Sequence, residues 1–181
     1  MRVYFAGAYN EGKTTLARKV SDRYNLSLLP EVARIVKEEW ELPFPEIRKD
    51  VELVNKFQEE VFHRQFQAEK TMQTDFVSSR CIDNIVFLSK FGSSLSVLAD
   101  TPVFKDYVTW LKTGIVFFVI PHKELMKDDG VRDTDYGQCV ELSGAVRLTL
   151  ELLGVKYIPI HPVTEKDREL LIFSILDLVK K

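Results

Sequence analysis

Cysteine is scarce in this chain: Cys81 and Cys139 are the only two. They are too few for a disulfide framework and have no metal-ligand spacing, which points to a reducing cytoplasm and to buried small side chains rather than nucleophiles. His63 and His122 have no partners at catalytic spacing, and the third histidine, His161, reads as structural or as a passive ring wall. Long apolar runs are missing as well. The longest, Ile115 to Ile120, is far short of the ~20 residues of a membrane span and suits a buried strand. Asn10 and Glu11 interrupt the first apolar stretch, so no secretory signal is expected. Excess charge of either sign is absent: 25 basic against 27 acidic residues leave −2, which excludes a global positive field for nucleic acid or membrane. Repeats, low-complexity tracts and Gly/Ser linkers are also lacking, and 181 residues with 45% hydrophobic content suit one domain, 1–181.

What the chain does have is Gly7-Ala8-Tyr9-Asn10-Glu11-Gly12-Lys13-Thr14, which fits G-x-x-x-x-G-K-[ST] at every fixed position. Val3 to Ala6 reads as a buried strand and Thr15 to Val20 as the start of a helix, the setting a phosphate-binding loop requires. Glycines let successive N–H groups point inward at phosphate oxygens, with the positive end of the helix dipole behind them. Gly7, Asn10, Glu11, Gly12, Lys13, Thr14 and Thr15 form the expected nucleotide cradle. Lys13 would reach the β- and γ-phosphates, and the Thr14 hydroxyl would meet Mg²⁺.

Apolar segments at 2–6, 27–29, 76–79, 115–120 and 156–160 alternate with helical stretches. That rhythm predicts a parallel sheet covered on both faces, with ligands at the carboxyl ends of the strands. Pro43-Phe44-Pro45 separates a short helix (31–40) from a long one (about 46–71). The long helix carries an apolar stripe of Val51, Val54, Phe57, Val61, Phe62 and Phe66, with Gln58, His63, Arg64 and Gln65 as polar members that would face a cleft. Thr164 caps a last helix whose Leu170, Leu171, Ile175 and Leu178 are expected on the sheet.

Absent motifs narrow the chemistry. No Asn-Lys-x-Asp announces guanine, and the third strand, Phe76 to Arg80, ends without the acidic group of a motor ATPase. A small phosphotransferase is the class that remains. After the second strand, Glu31 lies where a carboxylate would hold or deprotonate an attacking hydroxyl, with Arg34 as a clamp for a substrate phosphate or ribose. After the third, Arg80 suits a phosphate or transition-state ligand, while Ser79 stands where kinases of nucleosides and nucleotides often place an acid. Metal affinity would then rest on Thr14, the nucleotide and Asp83. Gln58, Arg64 and Asp83 join Glu31 and Arg34 as candidate substrate-binding residues. Residues 122–137 read as a lid, and Arg132 is the cation that would offset Asp128 and Asp129 there and neutralise a phosphoryl group in flight.

With these segments assembled, the chain resembles the AAA-type ATP-binding family that includes the ribosylnicotinamide kinase domain of bifunctional NAD-salvage proteins, and with it the small nucleoside and nucleotide kinases. The resemblance runs through Gly7 to Thr15, Pro30-Glu31-Val32-Ala33-Arg34, Ser79-Arg80 with Ile82-Asp83-Asn84, Asp129-Gly130-Val131-Arg132 and a closing strand-helix pair. It implies a three-layer α/β/α sandwich, the P-loop nucleoside triphosphate hydrolase fold, with a five-stranded parallel sheet in the order 2-3-1-4-5. It also implies ATP and Mg²⁺ as cofactors and transfer of the γ-phosphoryl to a small nucleoside-like hydroxyl of the nicotinamide riboside type. The partner is then a nucleoside or nucleotide, with nucleic acid less favoured and membrane not expected. No adenylyltransferase domain is seen, so a free-standing kinase is expected. A deoxynucleoside monophosphate kinase or DNA-base kinase is the rival within the class. A nucleotide-binding switch or docking module is the rival outside it; Ser79 favours that reading, while Glu31 and Arg132 disfavour it.

Overall fold

Strand-forming residues buried on both faces and helices with one apolar stripe leave a single economical arrangement, a sheet between two helical layers. The computed structural model describes residues 1–72, 75–93, 95–126 and 135–180. Strands β1 (Arg2–Ala6), β2 (Ser27–Leu28), β3 (Phe76–Ser78), β4 (Ile115–Val119) and β5 (Ile158–Ile160) form one parallel sheet in the order β2-β3-β1-β4-β5, as expected. Val3 of the central strand is in register with Val77 on one side and Ile115 on the other. The strands end slightly inside the predicted limits, but their flanks stay tied: Leu29 N–H donates to Val77 O at 2.9 Å and Ile120 N–H to Ile160 O at 3.4 Å.

Alternation along β1 splits the core. Val3 and Phe5 face α1 (Lys13–Tyr24) and α9 (Glu165–Val179). Tyr4 and Ala6 face the layer that holds α4 (Val51–Thr71), α5 (Asp83–Phe91), α6 (Leu95–Ala99), α7 (Pro102–Leu111) and α8 (Tyr136–Leu152). A third cluster stands apart from the sheet: Val32 and Val36 of α2 (Val32–Trp40), Ile47 of α3 (Phe44–Ile47), and Val54, Phe57 and Val61 of α4.

Two expectations are corrected here. The predicted helix from about 46 to 71 is two helices, because the Asp50 side chain accepts from Glu52 N at 2.8 Å and Leu53 N at 3.3 Å and so starts α4 anew. Val51, at the first turn of α4, is consequently exposed rather than part of its buried stripe. On α9, capped by Thr164 as expected, the inward residues are Arg168, Ile172 and Leu176, while Leu170 and Leu178 face solvent. The helix is turned so that a guanidinium points at the sheet ends.

Candidate functional site

The loop after β1 is shaped by three left-handed residues, Gly7 (φ 141°), Asn10 (φ 59°) and Gly12 (φ 83°). A Cβ on Gly7 would lie 2.8 Å from Val119 O and overlap the Glu11 carboxylate, so only glycine fits. At Gly12 space is open and the dihedral alone is the constraint. The loop runs into the N-terminus of α1, where Thr14 and Thr15 line a cleft. Lys13 is buried; its Nζ donates to Gly7 O at 2.9 Å and to Ala8 O. Asp83 holds the same loop from α5: its Oδ1 accepts from Gly7 N at 3.2 Å, and Oδ2 lies 3.9 Å from Lys13 Nζ. Burial pushes the Asp83 carboxyl up, and the charges of Lys13 and Arg80 pull it back down. Its geometry is that of a brace for the loop as much as of a substrate ligand.

Glu11 was expected in the nucleotide cradle. It lines the cleft, with its side chain buried and turned toward Gly7. Burial pushes its carboxyl up to about 8, against the pull of the Lys13 charge. The residue missed by sequence reasoning is Arg168. At 2% exposure, its guanidinium donates to three backbone carbonyls: Glu11 O at 2.9 Å, Ile120 O at 2.8 Å and Pro162 O at 2.8 Å. It thereby ties the phosphate loop to the segments that follow β4 and β5. The signal available was its phase, since Arg168 falls four and eight residues ahead of the buried Ile172 and Leu176. His122 Nε2 lies 3.0 Å from His161 O and joins the same two segments, which accords with a structural role.

Two concavities open off this loop. One is a cleft of about 610 Å³ lined by Asn10, Lys13, Thr14, Glu31, Arg34 and Ser79. The other, narrower and of about 70 Å³, is walled by Tyr9, Phe44, Phe57 and Phe91, with Gln58 and Asn84 among its polar groups. Arg80 lines both. It pairs with Glu31, and its second nitrogen is 3.8 Å from Asp83 Oδ2. Arg34 Nε sits 2.6 Å from the other Glu31 oxygen. Arg34, Glu31, Arg80, Asp83 and Lys13 thus form one continuous run of charges along the cleft, with Arg80 and Asp83 also lining the aromatic cavity.

Arg64 stands apart from the other candidates. It pairs with Glu39 of α2 at 2.6 Å and with Glu60 at 2.5 Å, outside both concavities. Gln58, Val61 and Gln65 share the cavity-facing side of α4, and Arg64 stands about 100° around the helix from Gln65. Cys81 and Cys139 are buried free thiols pushed up by burial, to about 11 for Cys139. Of the predicted lid, Arg132 and residues 127–134 lie outside the described residues. No helix among the described residues is long and apolar enough to cross a membrane.

A glycine-lined loop between the central strand and first helix of a 2-3-1-4-5 parallel sheet defines the P-loop kinase fold. The chain belongs to the AAA domain family, whose profile matches residues 2–168. Among solved structures it is similar to NadR protein in complex with NR, at TM-score 0.69 and 17% identity over 91% of this chain and 46% of that one. The chain therefore spans under half of the NadR chain. It is also similar to deoxyadenosine kinase from M. mycoides with bound dATP (TM-score 0.66, 15% identity, 98% of this chain and 100% of that one). Shikimate kinase from Acinetobacter baumannii in complex with shikimate follows at TM-score 0.51 and 15% identity, over 98% and 92% of the two chains. At such identities the likeness is one of fold. A comparison with curated proteins finds no match.

Proposed function

We propose that this chain is an ATP-dependent phosphotransferase that moves the γ-phosphoryl of Mg-ATP to a hydroxyl of a small nucleoside-like acceptor, of the nicotinamide riboside type. The observation that carries this reading is Arg80, which lines both the phosphate cleft and the aromatic cavity and is bound there to Glu31. Donor and acceptor compartments meeting at a Glu–Arg pair are what in-line transfer needs. The described residues fit the cofactor: Gly12, Lys13, Thr14 and Thr15 line the cleft at the start of α1, and the Thr14 hydroxyl stands at the helix N-terminus where it would hold Mg²⁺. Mg²⁺ held there by Thr14 would supply neutralising charge to the phosphate chain. Lys13 and the loop N–H groups bind phosphate oxygens. Glu31 orients the acceptor hydroxyl and takes its proton as Arg80 turns from Glu31 to the transferring group. Arg34 keeps the Glu31 carboxylate in place meanwhile. The lid role of residues 122–137, with Arg132, belongs to this proposal on sequence grounds.

The test is a screen of the purified chain with Mg-ATP against nucleosides, nucleoside monophosphates and DNA, read by the mass of the phosphorylated product. A nucleoside should gain one phosphoryl group, and Lys13→Ala should abolish the gain while leaving the melting temperature within a few degrees. Preference for an acceptor that already carries phosphate would move the assignment to a nucleoside monophosphate kinase. ATP binding with no acceptor phosphorylated would favour the switch or docking module.

A further inference from the structure

We infer that the outer face of α8 is a self-association surface: two copies of this chain pair through it about a two-fold axis that runs along the helix, with Gly144 at the crossing point. The pairing does not depend on what the chain phosphorylates. Helix α8 is apolar on two opposite faces. Cys139, Leu142, Val146 and Leu150 are buried against the rest of the chain, whereas Tyr136, Val140, Leu148 and Leu152 are exposed, Leu148 at 58% and Leu152 at 77%. Those four and the exposed Gly144 follow one another at steps of four, so they form one ridge on the side away from the core. A helix that covers a domain has one apolar stripe and one polar face, and a helix apolar on both sides is one that is covered on both. Elsewhere Leu28, Ile35 and Val97 are single exposed side chains on three different elements, and on α9 the exposed Leu170 and Leu178 are separated by Ser174.

Gly144 indicates what covers the ridge. Glycine inside a helix is unfavourable relative to alanine. Here an added Cβ would meet nothing within 4 Å, so no neighbour within the chain requires the side chain to be missing. A gap at the centre of an apolar ridge admits a second backbone, and ridges at steps of four interlock with their own kind at about −50°. Charge then selects a second copy and its direction. Glu141 and Arg147 lie three residues before and three after Gly144, about 60° to either side of the ridge. In a parallel pair each Glu141 comes to the same side as the partner's Arg147, twice over, whereas an antiparallel pair would set like charges side by side. Within the chain both charges stay at the rim. Lys90 Nζ is 3.5 Å from Glu141 Oε2, whose side chain is 74% exposed, and Arg147 Nε donates to Tyr157 Oη at 2.9 Å. Glu151, which accepts from Tyr157 Oη at 2.6 Å, belongs to the last turn of α8, beyond the crossing.

The experiment is sedimentation equilibrium of the full chain over a range of concentrations, in which the mass should pass from 20.9 kDa to twice that value. A helix of 17 residues is about 25 Å long, so the buried area lies near the floor of specific association and the dissociation constant should fall at about 1–100 μM. Leu148→Glu and Gly144→Leu should each weaken the dimer at least about tenfold, with the melting temperature of the dilute chain within a few degrees of the parent. Gly144→Ala should raise that melting temperature and still weaken the dimer, a split that a purely internal role for the glycine would not give. Glu141→Arg should weaken association, and adding Arg147→Glu should restore it. Val140→Cys should link to its own copy on mild oxidation, because the parallel axis brings position 140 to itself, and the native Cys81 and Cys139 are buried. The inference is overturned if the mass stays at 20.9 kDa up to about 500 μM, whatever else then binds α8. It is equally overturned if a dimer survives both Leu148→Glu and Gly144→Leu, or if Val140→Cys links only to a copy carrying Leu148→Cys.

Discussion

The two halves of the site are built differently. The phosphate loop is braced from distant elements: Asp83 reaches Gly7 N from α5, and Arg168 reaches three backbone carbonyls from α9. Across the cleft, α2, α3 and α4 share a small cluster of their own, laced by surface ion pairs such as Arg64–Glu39 and Lys49–Glu46. Exposed ion pairs contribute little to stability, about 0–1 kcal/mol each. The phosphate-loop half is therefore the more firmly braced, and the α2–α4 half is the one better able to yield by local opening.

The largest effect should come at the junction. Glu31→Gln keeps shape and removes the charge that Arg80 and Arg34 share, so kcat should fall by about 10²–10⁴ with ATP affinity nearly unchanged. Loss of ATP binding with kcat intact would instead give Glu31 a role in nucleotide or structural support. Next is Arg168→Met, which strips three carbonyls of their donor and should raise the KM for ATP at least about tenfold while the acceptor KM moves little. Added guanidinium should restore part of the loss; equal rises in both KM values would break the division into halves.

Glu69 sits on the seam, since it accepts from Tyr4 of β1 at 2.8 Å and from Gln65 of its own helix α4 at 2.9 Å. Burial pushes its carboxyl up from 4.5 to about 7. Between those values the native state keeps a proton that the unfolded chain has lost, so its stabilising contribution is full below about pH 4.5 and lost as the pH rises through about 7. The slope is at most about 1.4 kcal/mol per pH unit, and thermal melts of Glu69→Gln should be flatter over that window than those of the parent chain. The smallest effect belongs to Arg64→Ala: KM values within about twofold and stability within about 0.5 kcal/mol. A large rise in acceptor KM would return Arg64 to the site.

The architecture was legible because its signals are local. Apolar segments spaced by helical ones, with glycines and Lys13-Thr14 after the first, leave few arrangements, and the sheet order followed by resemblance. Tertiary information was harder to read. The periodicity of Ile47, Val54 and Phe57 runs through Asp50, so the break there depends on a side-chain cap that competes with the helix. Arg64 was grouped with Gln58 by nearness in sequence, where helical phase separates them. Glu11 gave no sign of turning inward, because that requires the space Gly7 leaves by having no Cβ. Arg168 did carry a sign, a charge in an apolar phase. Ser79 is buried on the cleft wall, and the carboxylate nearest Lys13 comes from Asp83 instead.

Lys13 spends its ammonium on the loop's own carbonyls, Gly7 O and Ala8 O. The loop's own carbonyls would thus compete with an anion for that ammonium, which is already shared between two oxygens. A lone phosphate brings few contacts to the exchange, whereas a triphosphate also engages the N–H groups along the loop and the helix end. Discrimination between inorganic phosphate, mono- and triphosphates would then begin with a lysine that is occupied until a sufficiently long chain of phosphates displaces its partners.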